Sequence, residues 1–170
     1  MNDIDFTLRP FRKGDEPSLA ANINSRKIDR YTINIPYPYK PENARQWVAL
    51  NVKEDRKKLP GMRNFVIDVE GKVIGSVGLS GIRTAHRAEI GYWLATKYWG
   101  RGITTAAVEM VTAYAFKELG LRRVYAYVVP ANKASVGVLK NCGYEYEGLI
   151  RKHSMKHGKP HDVLLFAKTR

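Results

Sequence analysis

Residues 88–107, AEIGYWLATKYWGRGITTAA, join a strand-like segment to a helix-like segment through a pair of glycines. Apolar side chains alternate along Ala88–Leu94, which is the period of a strand, and the helical pattern begins at Gly102. A chain that turns sharply into a helix leaves several backbone N–H groups without acceptors, and the helix dipole adds positive potential there. Glycine lets a ligand approach the backbone closely. The join therefore predicts a cradle for a phosphate group.

Two well-known phosphate loops do not match this glycine pair. The P-loop requires G-x-x-x-x-G-K-[ST], a string that the chain does not contain. The dinucleotide fingerprint G-x-G-x-x-G requires a third glycine where the chain has Thr105. It also requires an acidic residue about twenty positions later, a region occupied here by Arg122 and Arg123. On this loop alone, a glycine-rich turn without a ligand remains the alternative.

The pattern along the rest of the chain predicts one α/β domain over residues 1–170, with no internal repeat and no linker. Asp15 is placed to cap the first helix, and Pro17 fits its first turn. Strands are predicted at 6–11, 65–69, 73–79, 87–95, 122–130, 144–152 and 161–169, helices at 13–31, 41–59, 102–118 and 132–143, and a proline-rich loop at 32–40.

The composition is that of a globular protein with a strongly basic surface. The net charge is +13, and the segment 121–170 holds ten basic and three acidic residues. Such a surface attracts anions, although a merely solvated basic face is the alternative. Cys142 is the single cysteine, so no intrachain disulfide forms, and core packing is its expected role. No segment approaches the ~20 apolar residues of a membrane span, and the acidic start lacks a secretory pattern. We therefore expect a cytoplasmic protein that does not enter membranes.

The stretch 88–107 resembles motif A of the GNAT superfamily, the GCN5-related acyl-CoA N-acetyltransferases, whose loop reads [QR]-x-x-G-x-[GA]. The chain matches the central glycine and the spacing, and it departs at the ends with Trp99 and Thr104. Its Trp-Gly-x-Gly form, with AEIGYWL before it, is typical of the RimJ and RimL branch of ribosomal-protein N-terminal acetyltransferases. The segment 132–148 resembles the family's next motif at Asn132, Ser135, Gly143, Tyr144, Glu147 and Gly148.

The resemblance implies a GNAT fold, a twisted mixed α/β sheet of about seven strands with flanking helices. Two central parallel strands, here Ala88–Leu94 and Val124–Val129, would splay into a V that holds acetyl-CoA as co-substrate. The backbone of the first strand would pair with the pantetheine arm, and the glycine loop would bind the pyrophosphate. No metal is implied. The expected cofactor-binding residues are Trp93, Leu94, Trp99, Gly100, Arg101, Gly102, Ile103, Thr104, Thr105, Asn132, Ser135 and Lys140, with Lys133 as a basic neighbour.

The implied reaction is direct acyl transfer from the thioester to an amine, which attacks only when it is neutral and therefore needs a base. Glu89 is the first candidate for the base, and a carboxylate paired with an arginine is the alternative. His153, His157 and His161 are rivals, since histidine titrates near neutral pH. The related ribosomal enzymes carry a carboxylate near position 154, where this chain has Ser154.

Two further catalytic roles follow from the resemblance. Ser135 stands where the family places a donor for the leaving thiolate, and helix capping, shared with Asn132, is its alternative role. The backbone N–H of Leu94 would meet the tetrahedral oxyanion.

The acceptor is expected to bind beside the loop 32–40. Tyr31, Tyr37 and Tyr39 offer flat amphipathic surface there, and His153 is expected nearby. A protein N-terminus, ribosomal or similar, is the first hypothesis for the acceptor amine, so nucleic acid is expected only through the ribosome, and a homodimer is compatible. The alternatives are a small amine, such as an amino acid, a sugar amine, an aminoglycoside or a polyamine, and a non-catalytic acyl-CoA-binding protein.

Overall fold

The computed structural model describes residues 4–170. Seven strands form one sheet in the order β1-β2-β3-β4-β5-β7-β6. They are β1 (Thr7–Pro10), β2 (Met62–Val69), β3 (Lys72–Arg83), β4 (Arg87–Leu94), β5 (Arg123–Val128), β6 (Glu145–Lys156) and β7 (Lys159–Thr169). The α-helices of this part of the chain are α1 (Glu16–Ile23), α2 (Arg26–Tyr31), α3 (Pro41–Asp55), α4 (Ile103–Lys117) and α5 (Lys133–Asn141). Within it, no helix has both the length and the apolar character needed to cross a membrane.

The parallel strands β4 and β5 separate after a short contact. They pair only from Arg87 to Glu89 on β4 and from Arg123 to Tyr125 on β5. Every other neighbouring pair in the sheet is antiparallel. The open wedge between the two strands confirms the predicted mixed sheet with splayed central strands.

Two apolar layers cover the two faces of the sheet. Because side chains alternate along a strand, Ile90 and Leu94 of β4 join the layer under α4 and α5. Trp93 points the other way, into a second layer with Leu19 of α1 and Val48 of α3. Full burial of one large aliphatic side chain stabilises a fold by about 1.5–3 kcal/mol. The two layers therefore fix the orientation of each β4 side chain around the wedge.

The single helix predicted over 13–31 is wrong, because the chain forms two helices there. At Asn24 the backbone leaves the helical region, with ψ at 73°. The Asn24 side-chain oxygen accepts a hydrogen bond from the Tyr39 N–H at 3.0 Å, and the Ser25 hydroxyl caps α2 through the Lys27 N–H. A contact with a distant loop thus breaks a helix that local pattern alone would continue.

Other boundaries also differ from the sequence pattern. The helix predicted to run to residue 59 ends at Asp55. The last two strands extend further than predicted and meet in a tight turn at His157 and Gly158. Asp15 does stand at the start of α1, but its carboxylate makes no capping hydrogen bond there.

The Asp15 carboxylate instead pairs with Arg9 of β1, which also pairs with Asp68 of β2. Arg9 donates to Asp15 at 2.8 Å and to Asp68 at 2.5 Å, and only 17% of its side chain is exposed. We expect Arg9→Met to lower the free energy of unfolding by about 3 kcal/mol, because two buried carboxylates lose their cation. Arg12→Met is the matched control. The Arg12 side chain is 62% exposed and stands 4.0 Å from Asp15, so about 0.5 kcal/mol or less is expected. Urea denaturation of both variants checks the difference, and equal losses would contradict it.

Candidate functional site

A cleft of about 1390 Å³ opens where β4 and β5 separate. Its loop half is lined by β4, β5, the segment 98–105 and the start of α5. Its α3 half is lined by α3, the loop that precedes it, the floor formed by β2 and β3, and the β6–β7 hairpin at His153 and Ser154. Glu89 is the one carboxylate among the described residues that line the cleft, and the cations among them are Arg101 and Lys133.

The glycine loop presents a row of free donors to the loop half. Gly100 and Gly102 have φ of +74° and +76°, which glycine adopts without strain. Gly102 directly precedes α4. Among residues 4–170, no protein acceptor is found for the backbone N–H groups from Gly100 to Thr105. A Cβ placed on either glycine would meet no heavy atom within 4 Å. The loop is therefore open above its donors, as an anion site requires.

The indole of Trp99 ties this loop to the end of β4. Its Nε1 donates to the Leu94 carbonyl oxygen at 2.7 Å. Trp99 stands where the family motif has Gln or Arg, so in this chain the side chain at that position supports the loop through a neutral hydrogen bond.

The register of β3 and β4 decides which backbone groups face the cleft. In an antiparallel pair, hydrogen-bonded residues alternate with residues whose N–H and C=O groups point away. The Ala95 N–H donates to the Ile74 carbonyl at 2.8 Å, at the end of this ladder. Two residues earlier, Trp93 is therefore also bonded to β3. In agreement, its carbonyl oxygen lies 2.6 Å from the position of a Cβ built on Gly75.

This register corrects one expectation from the sequence. The backbone groups of Trp93 are occupied by β3, so they do not face a ligand in the V. The groups that face the V belong to Tyr92 and Leu94, and the Leu94 carbonyl already accepts from the Trp99 indole. The backbone edge available to a ligand is therefore formed by Tyr92 and the Leu94 N–H.

Glu89 lies at the vertex of the V, where β4 and β5 last pair. It stands opposite Ser80 on β3 and Tyr125 on β5. Burial raises the pKa of its carboxyl above the ordinary value, and the nearby His153 partly offsets this rise. Glu89 makes no ion pair with any described residue. The alternative of an arginine-paired carboxylate is therefore not what the geometry shows.

The three histidines of the basic C-terminal segment separate in space. His153 lines the cleft, and its ring lies 4.4 Å from the ring of Tyr127, measured between centroids. His157 Nε2 lies 3.3 Å from the Asp29 carboxylate, outside the cleft. His161 does not line the cleft either. Only His153 is therefore placed beside Glu89.

Ser135 keeps its hydroxyl available because another residue caps α5. The Asn132 side-chain oxygen accepts from the Ser135 N–H at 3.1 Å. The Ser135 hydroxyl oxygen lies 2.7 Å from the Tyr92 hydroxyl oxygen, across the V. Burial raises the pKa of Tyr92, which therefore stays protonated. Tyr92 was not singled out from the sequence, although the strand alternation places it beside Leu94. Lys133 lines the cleft, whereas Lys140 is exposed on α5 outside it.

Two of the three tyrosines expected at the acceptor wall line the cleft. Tyr31 is half-buried there, and Tyr39 is buried, which raises its pKa to about 12. Tyr37 does not line the cleft, and its ring lies under the guanidinium of Arg26 at 5.2 Å. The sequence pattern missed Trp47, Leu50 and Asn64, which also line the α3 half.

Cys142 belongs to the packed core. Its side chain is buried between α4 and α5, and burial raises the pKa of its thiol to about 11. A thiol held in its protonated form is a poor nucleophile, so the predicted packing role agrees with the structure.

Comparison with protein families places the chain in a known group. The model of the Acetyltransferase (GNAT) domain family matches residues 5–145. A protein of Bacillus licheniformis named uncharacterized N-acetyltransferase p20 is 34% identical over 95% of this chain and 91% of its own length. The spermidine N(1)-acetyltransferase of Vibrio cholerae is 28% identical over 93% of this chain and 89% of its own length.

Solved structures agree with the family match. The ribosomal-protein-S5-alanine acetyltransferase from Vibrio fischeri superimposes with a TM-score of 0.86 at 26% identity, covering 96% of this chain and 92% of that chain. RimJ from Mycobacterium smegmatis, solved in complex with CoA-disulfide, gives 0.84 at 27% identity, covering 95% and 80%. The relatives thus differ in the acceptors that their names state, while the fold is shared.

Proposed function

This chain belongs to the GNAT acetyltransferase family, and from that premise we propose that it transfers an acetyl group from acetyl-CoA to the α-amine of a protein N-terminus. We also propose that residues 1–170 form one catalytic domain. The single observation that carries the choice of acceptor is the neutral lining of the α3 half of the cleft. The binding of acetyl-CoA is supported by the free donors of the glycine loop.

The residues of the loop half fit acetyl-CoA. The free N–H groups from Gly100 to Thr105 suit its pyrophosphate, and the open space above both glycines admits it. The Tyr92 carbonyl oxygen and the Leu94 N–H suit the two sides of the pantetheine amides, as an added strand would. When bound, acetyl-CoA supplies the activated acyl group.

Glu89 is proposed as the base. The amine nitrogen attacks the thioester carbonyl carbon, the C–S bond breaks, and the amine loses a proton to the Glu89 carboxylate. The sulfur leaves as the CoA thiolate, to which the Ser135 hydroxyl donates a hydrogen bond, and the Tyr92 hydroxyl holds Ser135 at 2.7 Å. The Tyr92 N–H, one strand repeat closer to Glu89, is proposed to stabilise the oxyanion in place of the Leu94 N–H expected from the resemblance, because the pantetheine arm occupies the latter. His153, which is exposed and lines the cleft, is proposed to pass the proton from Glu89 to water.

The lining of the α3 half of the cleft favours a peptide over a polyamine as the acceptor. Glu89 is the only carboxylate among the described residues that line the whole cleft. A polyamine carries several ammonium groups, and each needs an anionic or well-hydrated partner when it is taken out of water. The α3 half offers instead aromatic walls and neutral amides, which suit the polar but uncharged backbone of a peptide. The amides are Asn34, Asn43, Gln46 and Asn64.

The ionisation of the acceptor also favours an N-terminus. At pH 7, an α-amine with a pKa near 8 loses its proton at a cost of about 1.4 kcal/mol. A lysine amine with a pKa near 10.4 loses its proton at a cost of about 4.6 kcal/mol. One carboxylate base with a raised pKa suffices for the smaller cost. The spermidine acetyltransferase among the relatives keeps a small amine as the second candidate, although no lining residue here favours it.

Steady-state kinetics with defined acceptors test this proposal. The substrates are a tetrapeptide with a free α-amine, the same peptide with its α-amine formylated and one lysine added, and spermidine. We expect kcat/KM for the free α-amine to exceed the other two by about 100-fold or more, in line with the difference in ionisation cost. Equal or higher kcat/KM for spermidine would overturn the choice of acceptor and leave the family assignment standing.

A further inference from the structure

Two side-chain amides connect α3 to the floor of the cleft in a directed relay. Asn51 Nδ2 donates to the Trp47 backbone carbonyl oxygen at 2.8 Å. Asn64 Nδ2 donates to Asn51 Oδ1, also at 2.8 Å. The Trp47 carbonyl can only accept, so Asn51 must turn its NH₂ group toward it and its oxygen toward Asn64. Asn64 must then turn its own NH₂ group toward Asn51. The backbone carbonyl thus fixes the direction of both amides.

The free end of this relay is an oxygen that faces the cleft. Asn64 stands opposite Gly78 on β3, and a Cβ built on Gly78 would lie 1.7 Å from Asn64 Oδ1. The amide therefore lies across β3, in space that only a glycine at position 78 leaves open. Among residues 4–170, no donor is found for this oxygen. In this part of the chain, Arg63 Nε is the only fully buried side-chain nitrogen or oxygen atom that lacks a hydrogen-bond partner. Asn64 Oδ1 also lacks a partner, so it is not fully buried. Asn64 Oδ1 is therefore accessible from the cleft.

The floor beneath this oxygen is bare and leads to Glu89. Gly78 pairs with Gly91 on β4, so two glycines stand side by side at the point where the strands open. Glu89 is two residues before Gly91 on the same face of β4, one strand repeat of about 7 Å away. A group placed over Gly91 would thus have the Glu89 carboxylate on one side and Asn64 Oδ1 on the other.

We infer that Asn64 Oδ1 accepts a hydrogen bond from an N–H group of the acceptor amine and orients that amine toward Glu89. This inference rests on the proposed acetyl transfer at the same site. A primary amine has N–H groups for both acceptors, so one proton can pass to Glu89 while another stays bonded to Asn64. Because an amide oxygen does not titrate, the contact holds at every working pH. Asn64 is thus an acceptor-binding residue that selects a primary amine.

Two nearly isosteric substitutions test the role of the oxygen. Asn64→Leu fills the same space without an acceptor, and Asn64→Asp keeps an oxygen toward the cleft while it loses the donation to Asn51. We expect Asn64→Leu to raise the KM for the acceptor about tenfold, as loss of one hydrogen bond to a charged group does. Asn64→Asp should keep that KM within about threefold of wild type, although its melting temperature falls. Both variants should keep the Kd for acetyl-CoA within about twofold, which shows that the loop half is folded.

Each kinetic experiment uses both the free α-amine tetrapeptide and spermidine. If the wild-type protein acetylates only spermidine, the proposed acceptor class is wrong, and the effect of Asn64→Leu on the KM for spermidine still decides the present inference. Asn64→Ala replaces the leucine variant if the latter fails to bind acetyl-CoA. An unchanged acceptor KM in Asn64→Leu, or equal increases in the leucine and aspartate variants, would overturn the role of the Asn64 oxygen.

Discussion

Gly102→Val is expected to abolish measurable acetyl-CoA binding, raising the Kd by at least about 100-fold, or about 2.7 kcal/mol. Gly102 precedes α4 with a φ of +76°, and a Cβ on it would point into open space above the loop donors. A valine there fills the space that the pyrophosphate needs, and it also favours a backbone that turns the donors away. Isothermal titration calorimetry with acetyl-CoA measures the loss directly.

Gly120→Val supplies the matched control for this substitution. Gly120 lies just past the other end of α4, with a φ of +61° and no heavy atom within 4 Å of its built Cβ. Both valines therefore suffer the same kind of left-handed strain, about 1–2 kcal/mol, but only Gly102 lines the cleft. Similar melting temperatures with a loss of binding only in Gly102→Val are expected. If Gly102→Val binds acetyl-CoA as wild type does, the phosphate site lies elsewhere.

Glu89→Gln is expected to lower kcat about 100-fold or more, which is the usual contribution of a general base, while the Kd for acetyl-CoA stays unchanged. The carboxylate stands at the vertex of the V and makes no ion pair among the described residues, so removal of its charge breaks no salt bridge. Glu109→Gln is the control, because Glu109 is an exposed carboxylate on α4 outside the cleft. Turnover in Glu89→Gln close to wild type would transfer the role of base to His153.

The raised pKa of Glu89 gives this substitution two pH signatures. In the wild type, the acidic limb of kcat/KM should follow deprotonation of Glu89 above the ordinary carboxyl pKa of 4.5, and the limb should disappear in Glu89→Gln. Between the ordinary and the raised pKa, the folded protein binds more protons than the unfolded chain does. The free energy of unfolding therefore falls as the pH rises through that window. At neutral pH the glutamine variant should be at least as stable as wild type, which thermal denaturation checks.

Features that depend on neighbouring residues were predictable from the sequence. The alternation in β4, the glycine pair and the apolar pattern of α4 are local, and the structure has each of them close to the predicted bounds. Asn132 and Ser135 also appear at the start of α5, where the motif spacing puts them. These elements together define the V and its loop, so the loop half of the site could be located without coordinates.

Features that depend on distant contacts were not predictable. The register of β4 against β3 cannot be derived from the sequence. The sequence therefore could not tell that the backbone N–H and C=O groups of Trp93 point toward β3 while those of Tyr92 point into the V. The break at Asn24 arises from its bond to Tyr39, fifteen residues away. The relay to Asn64 joins α3 to β2 and needs a glycine on β3. The α3 half of the cleft is built from such contacts, and for this reason fewer of its lining residues could be predicted.

The most direct test of the proposed function follows labelled acetyl groups in a lysate. Purified protein and labelled acetyl-CoA are added to a dialysed lysate of source cells that lack the gene, supplemented with the small-molecule fraction of those cells. Mass spectrometry then locates the label on proteins and on small amines separately. Label on the N-terminal α-amine of one or a few proteins is the predicted result. Label confined to a small amine such as a polyamine would contradict the proposed acceptor.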